Sequence, residues 1–194
     1  MIDDIYVFDD IITKNHQELI KELIFDTYAF PWHLKRNLAG NTPTNENENF
    51  VNVPGFANVF YNTLGINNQE LYDYSFPIAK LALAKLNLFN NNMLYGRTFF
   101  QFPLATHSGI SNPHVDIENF DHLVVLYYVI DSDGDTLLLD KKNDGLDRPS
   151  FEKLNVTKSV TPKQGRCVVF DGRIYHANAL PQQSERCVIN MNLL

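Results

Sequence analysis

Two stretches of the sequence decide the fold: Pro113-His114-Val115-Asp116 and, further along the chain, Ile174-Tyr175-His176. On a β-strand, residues i and i+2 point to the same side, so His114 and Asp116 lie together while Val115 faces away. His176 adds a second imidazole from a later strand. Two histidines and one carboxylate are the ligand set of a facial-triad iron(II) site, which leaves coordination positions open. The two stretches therefore predict a metal site built between strands.

The sequence around these stretches is typical of short β-strands separated by turns. The predicted strands are 94–104, 113–117, 122–130, 135–140, 154–161, 166–171, 174–179 and 185–192. Asp133 and Gly134 mark a turn between the third and fourth of them. Eight successive strands predict a mainly β fold with flanking helices, whose core is a double-stranded β-helix, a jelly-roll-like sandwich of cupin type. This core is expected to span residues 93–194.

The preceding residues, 1–92, are predicted to form an N-terminal strand and supporting helices. Residues 5–12 are typical of a strand and a turn. Residues 14–28 repeat apolar side chains with a helical period, with Thr13 as a candidate N-cap, and residues 69–88 form a second helical stretch. We expect both helices to pack on the outside of one sheet.

Other features of this half concern helix ends and loops. In the second helical stretch, Pro77 is expected in the first turn, after Ser75. The segment 38–54 is rich in turn-forming residues, and the segment 140–152 is charged, so both are predicted to be loops. The sequence leaves open whether these loops act as lids.

The composition is that of an ordinary folded protein, with 44% hydrophobic and 12% aromatic residues. A length of 194 residues predicts one domain spanning 1–194. The formal net charge of -7 makes nucleic acid a less favoured partner. Cys167 and Cys187 are too few for a disulfide framework and are expected to be buried thiols. No signal peptide or membrane-spanning run is apparent, so we expect a cytoplasmic protein.

The ordered set His114, Asp116, His176 and Arg186 resembles the motif of the iron(II)/2-oxoglutarate-dependent oxygenases, most closely their prolyl-hydroxylase-like and phage-encoded branch. The resemblance covers roughly residues 93–194. It implies that the two histidines and Asp116 are catalytic residues that bind iron(II). It also implies that 2-oxoglutarate is the co-substrate and that its far carboxylate pairs with Arg186, because a guanidinium binds a carboxylate bidentately.

The resemblance implies further groups around the co-substrate, and the candidates are Arg97, Gln101, Tyr127 and Tyr128. Only one of the two tyrosines can point into the barrel, because side chains alternate along a strand. Both faces of this strand are apolar, so the sequence does not decide between them. Thr136 is interpreted as a packing or supporting residue.

The function implied by the resemblance is a dioxygenase that uses O2 and 2-oxoglutarate to hydroxylate a C–H bond, with release of succinate and CO2. Peptidyl proline or another amino-acid side chain is the favoured substrate, and the location is the host cytoplasm if the chain is phage-encoded. Two alternatives stay open: a catalytically idle barrel that acts as a binding or scaffold protein, and a cupin-like metal enzyme that does not use 2-oxoglutarate. The presence of Arg186 favours the 2-oxoglutarate-dependent dioxygenase over both alternatives. Because the histidines must be neutral to bind metal, we expect metal affinity to fall below about pH 6.

Overall fold

A computed structural model describes residues 2, 4–25, 28–39, 50–89, 92–104, 109–146 and 149–194. Part of the predicted loop 38–54, residues 40–49, lies outside the described residues. The elements in chain order are β1 (Tyr6–Phe8), α1 (Lys14–Phe25), β2 (His33–Lys35), β3 (Phe50–Val51), β4 (Gly55–Asn62), β5 (Gly65–Ile66), α2 (Gln69–Lys85), β6 (Met93–Gln101), β7 (Ile110–Ser111), β8 (Leu123–Tyr128), β9 (Thr136–Lys142), β10 (Val156–Val160), β11 (Cys167–Asp171), β12 (Ile174–Asn178) and β13 (Arg186–Leu193).

Two antiparallel sheets form the double-stranded β-helix. The major sheet has the strand order β1-β11-β8-β13-β6-β4-β2, with β5 paired to β4, and the minor sheet has the order β10-β9-β12. The short strands β3 and β7 pair in parallel. The predicted fold class, mainly β with flanking helices around a double-stranded β-helix, is confirmed.

The apolar core lies in two layers on either side of the major sheet. Between the sheets, Val124, Leu126 and Val188 of the major sheet pack with Leu138 and Ile174 of the minor sheet. On the opposite face, the alternate residues of the same strands pack against α1 and α2. Burial on both faces explains why β8 has a continuous apolar sequence rather than an alternating one.

Both predicted helices are present and cover the outer face of the major sheet, as expected. The first begins after Thr13, whose Oγ1 accepts a hydrogen bond from the N–H of His16 at 3.3 Å. The second begins after Asn68, whose side chain accepts from the N–H of Leu71. Pro77 therefore lies inside α2, and its predicted place in the first turn is wrong because Asn68, not Ser75, caps the helix. Neither helix is long and apolar enough to cross a membrane, in the part of the chain that the structure describes.

The strands of the C-terminal half follow the prediction, except that the short strand β7 was not predicted and the strand at 113–117 is missing. No strand forms at 113–117; instead His114 makes an isolated bridge with His176, with N–H to O distances of 3.0 and 2.9 Å. The charged loop predicted at 140–152 begins within β9, which continues to Lys142. Strands β2 to β5 were not predicted, because the Gly and Asn residues of β4 interrupt the apolar pattern of a strand.

Candidate metal and co-substrate site

A cavity of about 620 Å³ opens between the two sheets. The inward faces of β6 and β13 form one wall, and the segment holding His114 and Asp116 forms the opposite wall with His176 of β12. Lys35, at the end of the edge strand β2, and residues 37–39 after it also line the cavity. The cavity therefore combines side chains from both halves of the sequence.

The structure brings the three predicted metal ligands together. One ligand atom from each of His114, Asp116 and His176 lies within 4.8 Å of the other two. Their arrangement follows from the bridge between the two histidine backbones, which sets the ring centroids 4.6 Å apart. Asp116 Oδ2 lies 3.9 Å from His176 Nε2. Glu118 also lines the cavity but is not a member of this group.

Both histidines are held in the tautomer that a metal site requires. His114 Nδ1 lies 2.9 Å from the carbonyl of Asn112, and His176 Nδ1 lies 3.1 Å from the carbonyl of Ile174. A carbonyl only accepts, so each Nδ1 carries the hydrogen and each Nε2 keeps a free lone pair. Burial, with a contribution from the charge of His176, lowers the pKa of His114 to about 4. Burial also lowers the pKa of His176, so both rings are neutral at pH 7.

Asp116 is an ionised carboxylate inside the protein. Burial alone would raise its pKa, but the Arg97 guanidinium, the two histidines and the Asn190 amide together hold the pKa well below its usual range. Arg97 Nη2 donates to Oδ1 at 2.6 Å. Asn190 and Asn192 each donate to Oδ2 at 3.0 Å. Two neutral imidazoles and an ionised carboxylate fit a divalent cation such as iron(II).

Arg186 is a buried cation that lines the same cavity. The residue is 5% exposed, and burial lowers the pKa of its guanidinium. Its Nε donates to the carbonyl of Gly134 at 2.9 Å, and its Nη2 donates to Thr136 Oγ1 at 3.0 Å. Among the described residues, no carboxylate pairs with it. A buried charge with only neutral partners is costly, so this end of the cavity suits an anion.

Two of the other predicted co-substrate residues lie beside Arg186. Gln101 Oε1 is 3.4 Å from Arg186 Nη1. Tyr128 donates its hydroxyl to Thr136 Oγ1 at 2.8 Å, and burial raises the pKa of Tyr128 to about 12, so the hydroxyl stays protonated. Thr136, interpreted from the sequence as a supporting residue, contacts both Arg186 and Tyr128.

Tyr127 and Arg97 are placed differently from the expectation. Tyr127 packs in the layer against the helices, on the face of β8 opposite to the cavity, so it is not brought to the co-substrate end. Arg97 lines the cavity but bonds Asp116 at the metal end instead. The pairing of β6 with β13 explains this, because it sets Gln101 opposite Arg186 and Arg97 opposite Asn190.

Three asparagines that bond residues of the cavity were not predicted from the sequence. Asn190 and Asn192 contact Asp116, and Asn178 places its Nδ2 3.4 Å from Gln101 Oε1. The sequence does contain a sign of Asn190 and Asn192, because they are polar residues at alternate positions in the apolar second half of β13 and therefore lie on one face.

The sequence matches no protein-family model, and it matches none of the curated proteins. Solved structures share the fold. The epimerase SnoN from nogalamycin biosynthesis, in complex with Fe3+ and α-ketoglutarate, has a TM-score of 0.66 at 13% identity, covering 98% of this chain and 78% of that one. The 2-oxoglutarate complex of the viral collagen prolyl hydroxylase from Paramecium bursaria Chlorella virus-1 has a TM-score of 0.56 at 13% identity, covering 97% and 94%. A prolyl hydroxylase from Trichoplax adhaerens, in complex with a hypoxia-inducible-factor peptide fragment, has a TM-score of 0.64 at 11% identity, covering 98% and 83%.

The chain thus has the double-stranded β-helix fold of iron- and 2-oxoglutarate-dependent oxygenases. At these sequence identities the similarity establishes only the fold. The function has to be inferred from the side chains of the cavity.

Proposed function

We propose that the protein is an iron(II)- and 2-oxoglutarate-dependent dioxygenase that hydroxylates a C–H bond of its substrate. One observation carries the proposal: a single cavity holds both a His-Asp-His group, with neutral imidazoles and an ionised carboxylate, and a buried arginine that pairs with no carboxylate among the described residues. Either feature alone is compatible with several kinds of site. Together they match a metal and a dicarboxylate bound side by side.

In this proposal His114, Asp116 and His176 hold iron(II), and Arg186 binds the far carboxylate of 2-oxoglutarate. When bound, this pair supplies the oxidising chemistry, which consumes O2 and 2-oxoglutarate and yields succinate, CO2 and an oxidised substrate. The protein contributes binding, orientation and a dry environment. Thr136 fixes the Arg186 guanidinium through Nη2, and the apolar side chains of Phe99, Leu126 and others between the sheets exclude water.

We further propose an amino-acid side chain, with peptidyl proline favoured, as the substrate. The support is the fold likeness to two prolyl hydroxylases, one of them solved with a peptide. A protein of the same fold, the epimerase SnoN, was solved with the small molecule nogalamycin RO, so the substrate screen also includes small molecules such as free amino acids.

The test is an anaerobic titration of the purified protein with iron(II) and 2-oxoglutarate, followed by the weak visible metal-to-ligand charge-transfer absorption. We expect a band in the wild type that is absent in His176→Ala and in Arg186→Ala. Arg166→Ala is the control, because Arg166 pairs with Asp9 outside the cavity. Metal binding without the band in the wild type would support the cupin-like or scaffold alternative instead. A band would be followed by a screen of peptides and amino acids for succinate release.

A further inference from the structure

The Asp116 carboxylate is held by three donors from two neighbouring strands. Arg97 Nη2 on β6 bonds Oδ1 at 2.6 Å, and Asn190 and Asn192 on β13 bond Oδ2 at 3.0 Å each. The Asp116 side chain is only 3% exposed. The strongest of the three contacts is charged, because only Arg97 carries a full positive charge.

The three donors belong to the sheet, whereas Asp116 does not. Arg97 stands opposite Asn190 in the β6–β13 pairing, and Asn192 is on the same face two residues further on. The Arg97 guanidinium lies 4.8 Å from the ring of Tyr95 and 5.2 Å from the ring of Phe99, which fix its position. Asp116 lies between β7 and β8, outside any strand. A residue on a connecting segment is thus positioned by side chains of a rigid sheet.

We propose that Arg97 is a positioning residue for the metal site: it balances the charge of Asp116 and holds Oδ2 toward the histidines before a metal binds. Arg97 together with Asn190 and Asn192, the three donors to Asp116, is called the cradle below. Arg97 bonds Oδ1, so the oxygen that faces His176, at 3.9 Å from its Nε2, is Oδ2, whose other contacts are with the two neutral asparagine amides. The role in catalysis rests on the proposed metal site, but the cradle itself is a property of the metal-free protein.

The cradle has a consequence that can be measured without activity. If Arg97 is replaced by an uncharged residue, the metal-free protein must bury Asp116 without a counter-cation, which is strongly unfavourable. A bound divalent cation would then take over the charge that Arg97 supplied. The variant should therefore depend on metal for its stability much more than the wild type does.

The experiment is thermal unfolding of Arg97→Met, with and without Mn(II) as the probe. Arg166→Met is the matched control, because the Arg166 side chain is 23% exposed and forms an ion pair at 2.7 Å, against 21% and 2.6 Å for Arg97. Without metal, we expect the melting temperature of Arg97→Met to fall by roughly 10 °C and that of the control to change little. With Mn(II), the stabilisation should be larger in Arg97→Met than in the wild type. Equal melting temperatures for the two variants would overturn the proposal.

A second comparison separates charge balance from packing. In Arg97→Met/Asp116→Asn the buried charge is gone, so this double variant should be more stable without metal than Arg97→Met alone, even if the single variant does not fold. Arg97→Lys should recover most of the lost stability. A double variant no more stable than the single one would show that Arg97 acts by packing on Tyr95 and Phe99, which refutes the cradle. If wild type gains no stability from Mn(II), the proposed metal function fails, while the metal-free comparison still decides the role of Arg97.

Discussion

The Thr136 hydroxyl oxygen accepts hydrogen bonds from two donors, Arg186 of the cavity and the fully buried Tyr128. Its Oγ1 accepts from Arg186 Nη2 at 3.0 Å and from the Tyr128 hydroxyl at 2.8 Å. The two accepted bonds leave the hydroxyl hydrogen of Thr136 available to an anion beside Arg186. A substitution at Thr136 therefore tests whether 2-oxoglutarate binds beside Arg186.

Replacing Thr136 with valine keeps the shape and removes the oxygen. We expect the affinity for 2-oxoglutarate to fall about tenfold, because Arg186 and Tyr128 each lose a buried partner. Isothermal titration of the metal-loaded protein measures the change. Thr157→Val is the control, since its hydroxyl bonds the carbonyl of Leu138 away from the cavity. An unchanged dissociation constant in Thr136→Val would contradict the assigned position of the co-substrate.

The pH dependence of metal binding is set by the neutral histidines. The pKa of His114 is lowered to about 4, and burial lowers the pKa of His176 as well. Protons therefore compete with metal at a lower pH than they would at an ordinary histidine, and we expect metal affinity to fall only below about pH 6. Metal competition titrations at decreasing pH test this prediction, and an affinity that did not fall at all would count against histidine ligation.

That His114, Asp116, His176 and Arg186 share one cavity agrees with the expectation from their order in the sequence and from the family motif they resemble. The place of Arg97 depends instead on the register between β6 and β13, which are remote in sequence. The choice between Tyr127 and Tyr128 depends on which layer covers each face of β8, and both layers are apolar.

Among the elements, the turn that leads from β11 of the major sheet to β12 of the minor sheet is stabilised by a buried carboxylate. Asp171 accepts from the Arg173 N–H at 3.0 Å, from Arg173 Nη2 at 2.9 Å and from Lys142 Nζ at 3.1 Å. Burial alone would raise the pKa of Asp171, but these bonds lower it below its ordinary value. The strand that follows the turn carries His176, so the turn helps to position the metal site.

We expect Asp171→Asn to lower the free energy of unfolding by about 2 kcal/mol at neutral pH. Since the folded-state pKa is lowered, this contribution is present above the unfolded pKa of about 3.9 and is lost as the pH falls through the folded value. The difference between wild type and variant should therefore shrink below about pH 4. Urea unfolding at several pH values measures this difference.

Asp121→Asn is the control, because Asp121 is exposed and lies 3.7 Å from the same arginine, Arg173. A pH-independent difference would exclude an ionic origin.

The errors of the strand prediction come from backbone pairing, which the sequence of one segment does not reveal. The strand predicted at 113–117 is absent because this stretch makes only one isolated bridge, between His114 and His176. Strands β2 and β4 extend the major sheet beyond β6, yet their residues lack a clear apolar alternation. Their pairing partners, not their own composition, make them strands.

For the whole molecule, the helix layer stabilises the major sheet without contributing to the cavity. Ile78 of α2 is fully buried in the layer between the helices and the sheet. Ile78→Ala should lower the free energy of unfolding by about 3 kcal/mol, the usual cost of such a truncation in a core. Metal affinity should stay the same. Leu81→Ala on the same helix, where Leu81 is 46% exposed, should cost less than about 1 kcal/mol. Denaturant unfolding and metal titration of both variants provide the measurement, and a loss of metal affinity in Ile78→Ala would show that the two faces of the sheet are coupled.

The overall architecture was predictable because a succession of short strands after two helical stretches admits few packing arrangements. The number of strands in the major sheet was not predictable, because β1 pairs with β11 and β4 pairs with β6, which are distant in sequence.

Residues 35 and 37–39 line the cavity from the N-terminal part of the sequence, whereas His114, Asp116 and His176 come from beyond residue 113. Under the proposed function, exchange of this one short N-terminal segment would alter the wall that a substrate meets and leave the proposed metal ligands unchanged. The scaffold would then lend itself to directed evolution toward new substrates.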